Sequence, residues 1–76
     1  MKYKDIMQSI DNLSEKARDT TKIGLKMKAY RAYNQMTQED LARKLEVSRI
    51  QIARWEAGKH RPSRLAMRVL KENGIL

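Results

Sequence analysis

Thr37-Gln38-Glu39-Asp40-Leu41-Ala42-Arg43-Lys44-Leu45-Glu46-Val47-Ser48-Arg49-Ile50-Gln51-Ile52-Ala53-Arg54-Trp55-Glu56-Ala57-Gly58 holds two helix starts eleven residues apart. Thr37 followed by Asp40, and Ser48 followed by Gln51, both read as capping boxes. In such a box the hydroxyl accepts from the N–H three residues on, and that residue's side chain reaches back. Asp in place of Glu or Gln makes the first box the weaker of the two. Leu41, Ala42 and Leu45 then share one helical stripe. Only Glu46 and Val47 separate Leu45 from the second cap, and Gly58 supplies a C-terminal stop. Two short helices joined by so tight a turn predict a helix-turn-helix unit.

The second helix sorts its residues by angle. With Arg49 at zero, Ile52, Trp55 and Glu56 fall at about 300°, 240° and 340°, around one centre. Ile50 and Arg54 lie opposite, with Arg49 and Ala53 on one flank and Gln51 on the other. The inward face packs through Ile52 and Trp55. What faces out is Arg, Ile, Gln and Arg, which suits a DNA major groove. Arg pairs with guanine O6/N7, Gln with adenine N6/N7, and Ile contacts a thymine methyl. Arg49, Ile50, Gln51 and Arg54 are therefore the candidate base readers, although capping competes for the Gln51 amide. Trp55, on the inward stripe, reads as core and not as a base-stacking platform.

Residues 22–73 resemble the helix-turn-helix family of phage lambda-type repressors, Cro and Xre. The matching signature runs Thr37-Gln38-Glu39-Asp40-Leu41-Ala42, Val47-Ser48, Trp55-Glu56-Ala57-Gly58-Lys59 and Arg61-Pro62-Ser63. The tail Trp55-Glu56-x-Gly58-Lys59-x-x-Pro62-Ser63-x-x-Ala66-x-Arg68-x-Leu70 is similar to the branch holding many antitoxins of toxin–antitoxin pairs. The resemblance implies a compact all-α, five-helix domain that binds double-stranded DNA, with the first helix an addition to the family core. It implies phosphate contact for Gln38 and Ser48 at the motif's helix starts and for Lys59 and Arg61 in the loop after Gly58. It also pairs Arg31 with Glu56 in a partly buried, structural ion pair. The family commonly has Gly where this chain has Glu46, at a turn position of positive φ, so Glu46 carries strain of roughly 1 kcal/mol.

Seventy-six residues make one small domain with little stability to spare. Cysteine is absent and there is one histidine, His60, so no thiolate or His-rich metal site can form, and no cofactor is expected. No Ser/His/Asp or Cys/His set, phosphate-cradling Gly loop or paired carboxylates suggest catalysis. The N-terminus does not read as a secretory signal, and no apolar run approaches the roughly 20 residues of a bilayer span. The chain thus reads as a soluble, cytoplasmic protein without membrane partners.

Charge divides the sequence. Lys2, Lys4, Lys16 and Arg18 balance Asp5, Asp11, Glu15 and Asp19 in residues 1–20, so the net +8 lies wholly in residues 21–76. Such a field favours a polyanion, nucleic acid before anionic lipid. Residues 3–17 read as an amphipathic helix through Ile6, Ile10, Leu13 and Ala17, with Tyr3 and Met7 alongside. Residues 1–20 form one unit, for packing, dimerisation or partner binding, and 21–76 the DNA-binding domain. Asp19-Thr20-Thr21 offers a cap for a helix over 22–34, whose stripe is Ile23, Met27 and Tyr30. Lys22, Lys26 and Lys28 lie off that stripe, as phosphate contacts or solvated lysines. Glu39 and Arg43 form an i, i+4 pair. Ser63 caps a last helix supplying Leu65, Met67, Val69 and Leu70, and Asn73-Gly74 stops it. Ile75 and Leu76 then fold back or enter a dimer contact.

Two functions fit these residues. One is a homodimeric transcriptional repressor reading an inverted repeat. The other is an antitoxin that represses its own operon and binds a toxin protein through residues 1–20.

Overall fold

The computed structural model of the protein describes residues 2–13 and 18–76. Among these, five α-helices and no strands occur: α1 (Tyr3–Asp11), α2 (Asp19–Tyr33), α3 (Gln38–Leu45), α4 (Arg49–Glu56) and α5 (Arg64–Glu72). The core gathers Ile23 and Met27 from α2, Leu41, Ala42 and Leu45 from α3, Ile52 and Trp55 from α4, Leu70 from α5, and Ile75 from the tail. α2, α3 and α4 therefore bury the stripes that their periods predict, and burying each large apolar side chain contributes roughly 1.5–3 kcal/mol.

The capping sites differ in completeness. At α3 both halves of the box form: Thr37 Oγ1 accepts from the Asp40 N–H at 3.0 Å, and Asp40 Oδ2 accepts from the Thr37 N–H at 2.9 Å. The Thr37 backbone N–H foremost, with the Thr37 hydroxyl and Arg43 beside it, holds the Asp40 carboxyl below the usual carboxylate range. At α4 Ser48 Oγ accepts from the Gln51 N–H at 3.1 Å, with no return bond from the Gln51 amide among the described residues. The Asp box is the complete one, reversing the expected order. Its short side chain still spans the turn. With Oδ2 fixed at the box, Oδ1 takes Arg43 at 2.8 Å, so Arg43 pairs with Asp40 and not with Glu39.

One closure recurs at three helix ends. Gln35, Glu46 and Gly74 sit at φ 55°, 58° and 74°. The following N–H reaches back five residues: Met36 to Arg31 O, Val47 to Ala42 O and Ile75 to Leu70 O, at 2.8, 3.0 and 2.9 Å. This is the Schellman pattern, in which the apolar residue after the left-handed one turns back onto the helix. Met36 and Val47 pack against the core, and Ile75 is buried within it. The motif settles the tail, which folds back. Glu46 adopts the positive φ expected of it, and Gln35 does so with no glycine or family precedent in the sequence reading.

Three expectations are revised. α1 ends at Asp11, where Asn12 takes a non-helical conformation, Gln8 donates to Asn12 Oδ1, and Leu13 is 39% exposed beyond it. Ala17, expected on its stripe, lies outside the described residues. α2 starts at Asp19, so Asp19-Thr20-Thr21 is a first turn and not a cap. That first turn lies beside Gly58, where a Cβ would stand 3.4 Å from the Thr21 Cα. Leu65 is 71% exposed, because the core face of α5 is taken by Leu70 with Ala66, Met67 and Val69 alongside. Finally, α1 buries none of its residues fully. It packs on α2 through Tyr3, whose ring meets Tyr30 edge-on at 6.1 Å and Tyr33 at 5.1 Å, and through the Asp11–Lys26 ion pair. The Tyr3 hydroxyl donates to Gly74 O at 3.2 Å, tying α1 to the turn after α5.

Candidate nucleic-acid interface

The orientation of α4 decides what this domain can touch. Ile52, Trp55 and Glu56 are buried, while Arg49, Ile50, Gln51 and Arg54 are exposed, Ile50 at 55%. An isoleucine held in water beside two arginines has no packing role, and its face is free for a partner. Ala53 is half-buried on the flank that the angles assign to it.

Glu56 is the anchor of that orientation. Its carboxylate, 5% exposed as a residue, receives Arg31 in bidentate fashion: Nε to Oε2 at 2.6 Å and Nη2 to Oε1 at 2.8 Å. Arg31 Nη1 also donates to Met36 O at 3.2 Å, inside the turn that leads to α3. The hydrogen bond to Glu56 raises the Arg31 pKa above its ordinary value, against the opposing effect of burial. A third donor completes the set: Gln38 Nε2 reaches Glu56 Oε1 at 3.1 Å. One carboxylate therefore fastens α2, the start of α3 and the end of α4 together. Full donor sets of this kind are what a buried charge requires.

Sequence reasoning found Arg31 and Glu56 through the family resemblance but assigned Gln38 to phosphate alone. The structure ties one end of its amide inward. Its backbone N–H, like that of Glu39, stands in the first turn of α3 with no partner among the described residues, as helix starts leave them. Gln38 shares a shallow open depression with Arg31, Thr37 and Arg49, so Arg49 stands next to the α3 start and away from Gln51. Gln51 instead lines a different groove, with Trp55 and Leu65. Ser48 is exposed with its oxygen engaged as the α4 cap, leaving the hydroxyl hydrogen free to donate.

Past Gly58 the loop holds Lys59, His60 and Arg61 exposed and Pro62 buried. Arg61 Nη1 lies 3.6 Å from Asp19 Oδ2, both well exposed, a pairing weak enough for a phosphate to replace. No group of three or more potential metal-binding side chains occurs among the described residues. No described helix is long and apolar enough to cross a membrane.

A basic five-helix domain presenting a short helix by its polar outer face, behind a tight turn and a capped supporting helix, is a helix-turn-helix DNA-binding domain. The helix-turn-helix family matches residues 27–68, a little over half of the chain, from within α2 through most of α5. A protein of Methanocaldococcus jannaschii, described as an uncharacterized HTH-type transcriptional regulator, is 51% identical over 51 residues, covering 66% of this chain and 77% of that relative. No solved structure matches the chain. The chain belongs to the Cro/C1-type helix-turn-helix family of DNA-binding transcriptional regulators.

If Lys59 and Arg61 track phosphates, log K for duplex DNA falls linearly with log[salt], by about 0.9 per phosphate neutralised. Lys59→Ala and Arg61→Ala each flatten that slope by up to about one unit while leaving site preference intact. Arg61 should give the smaller change, since Asp19 already holds part of its charge. Titrations at four or five salt concentrations measure this, and a wild-type slope near zero would defeat the polyanion reading.

Proposed function

We propose that the protein is a sequence-specific transcriptional repressor that binds an inverted repeat as a homodimer in the cytoplasm. The observation that supports this most directly is the outer face of α4, where Arg49, Ile50 and Arg54 stand exposed over a buried Ile52, Trp55 and Glu56. Laid in a major groove, Arg49 and Arg54 reach guanine edges and Ile50 a thymine methyl; Gln51 serves the groove's far edge. Gln38, through its free backbone N–H, and Ser48, through its hydroxyl, lie at the two helix starts where phosphates bind. Lys59 and Arg61 stand exposed in the loop after α4. The Methanocaldococcus jannaschii relative, described as a transcriptional regulator, is in keeping with this role.

Arg49→Ala and Arg54→Ala should each cost about 1–3 kcal/mol on a preferred site taken from a random DNA pool. Binding to random duplex at the same salt should change less, because phosphates supply most of it. Equal loss on both DNAs for both variants would remove these arginines from the base-reading set.

A second reading, an antitoxin that also captures a toxin, draws on α1. This helix lies outside the family match and buries no residue fully, while the adjoining Leu13 is exposed. A protein partner retained by the full chain and lost on deleting residues 1–13 would favour it.

A further inference from the structure

Residues 57–71 carry Lys59, Arg61, Arg64, Arg68 and Lys71 and no acid. The first two belong to the loop already described, while the other three stand on α5 and have no role so far. With Arg64 at zero, Arg68 and Lys71 fall at about 40° and 340°, one narrow line down the helix. All three are exposed. The fold does not use them, because α5 packs through Leu70 with Ala66, Met67 and Val69 alongside. A groove of about 310 Å³, which Glu46 and Gln51 line, is bordered on α5 by Leu65, Ala66 and Val69. These lie at about 100°, 200° and 140°, so the cations are turned away from Glu46. The same groove sets the first turns of α5 beside the edge of α4.

A merely solvated face would be arranged differently. Arg64 is the first residue of α5, where the positive end of the helix dipole disfavours a cation, and no acid stands in that turn. Arg64 and Arg68 are an i, i+4 pair of like charge, which weakens a helix. Only Glu72 answers them, its Oε1 lying 3.4 Å from Arg68 Nε in a well-exposed pair. The order, cation before acid, is the less helpful one. Neither Arg64 nor Lys71 has an ion-pair partner among the described residues. Cations held where they weaken their own helix are accounted for by an anion outside the chain.

We propose that Arg64, Arg68 and Lys71 form a second phosphate track, which grips the same duplex outside the base pairs that α4 reads. This rests on the DNA-binding reading above and extends it to α5. The track continues the basic loop, since Arg61 precedes Arg64 by three residues, across Pro62 and the Ser63 cap. Its length fits the ligand. From Arg64 to Lys71 the helix rises about 10.5 Å, over which one strand presents about three phosphates at roughly 3.4 Å each. An acidic protein surface would match the charge but would gain nothing from the track adjoining the loop.

Titration of the full chain against a site selected from random DNA, at several salt concentrations, tests the track. Arg64→Gln with Arg68→Gln should lower the slope of log K against log[salt] by about 1.8, roughly 0.9 for each of two phosphates. Lys2→Gln with Lys4→Gln removes the same charge from α1 and should lower it far less. Preference for the selected site over random duplex should stay unchanged in both. Ethylating the DNA should reveal interfering phosphates outside the base pairs set by Arg49 and Arg54, an interference that the α5 double variant loses. That variant should melt no lower than the wild type, because the two cations oppose their helix. An unchanged slope, or equal changes in the two double variants, would overturn the track while leaving DNA binding by α4 standing. A lower melting midpoint would overturn it by giving the arginines to the fold. A wild-type slope near zero would remove the DNA reading itself.

Discussion

Replacing Glu56 with Ala lowers the unfolding free energy by about 3 kcal/mol, a loss this small domain can hardly absorb. The cause is not the missing carboxylate as such but the donors it leaves behind. Arg31, its side chain 22% exposed, keeps a charge in a site built around two hydrogen bonds to Glu56. Its partial exposure allows some rehydration, which sets the figure at the low end of the range for a broken buried pair. Gln38 loses its anchor too. Glu56→Gln should cost less, because an amide retains acceptor capacity at Oε1 while losing the charge. Chemical denaturation of Glu56→Ala, Arg31→Ala and the double variant gives the coupling directly. Strictly additive losses would mean that the pair contributes nothing as a pair.

Gly24→Ala is expected to destabilise by about 2 kcal/mol, against the sign that local preference gives. Ala in a helix interior is favoured over Gly by about 1 kcal/mol, so an exposed position would gain. Gly24 is not exposed: a Cβ there would lie 2.6 Å from Glu56 O and 2.8 Å from Trp55 O. Both obstacles are backbone, at the end of the recognition helix, and neither can swing aside as a long side chain could. Either α2 or α4 must shift, and overpacking of this kind costs about 1–3 kcal/mol. A displaced α4 would also disturb the face offered to DNA, so affinity for a preferred site should fall with stability. Urea unfolding with an unchanged m-value is the check. A higher midpoint for Gly24→Ala would show that the two helices have room to separate.

Much of this was legible in one dimension because it is local. Capping at Thr37, Ser48 and Ser63 depends on residues three apart. The inward stripe of α4 follows from its turn angle, and the stops at Gly58 and Gly74 follow from glycine's access to positive φ. The same local reasoning erred where two local options compete. Helix periodicity carried α1 on to residue 17, while Asn12 and its bond to Gln8 end it at Asp11. Leu65 fell on an apolar tally of α5, although the helix has only one core-facing side and Leu70 occupies its centre.

The amino-acid sequence alone determined that this is a small basic all-α domain, with its charge beyond residue 20 and a capped pair of helices set to present Arg49, Ile50 and Arg54. Those features need only helix geometry and a family signature. The tertiary structure alone decided the rest: that Gly24 is a contact between helices, that the Gln38 amide turns inward to Glu56, that Gln35 adopts a left-handed turn, and that Leu65 and the Glu46 groove share one surface. Each of these joins residues far apart in the chain, or sets a backbone angle that an ordinary residue adopts only when packing holds it there. Periodicity assigns a side chain to a face of its own helix. Which neighbour meets that face is set by how the helices dock, and docking is settled by the whole core at once.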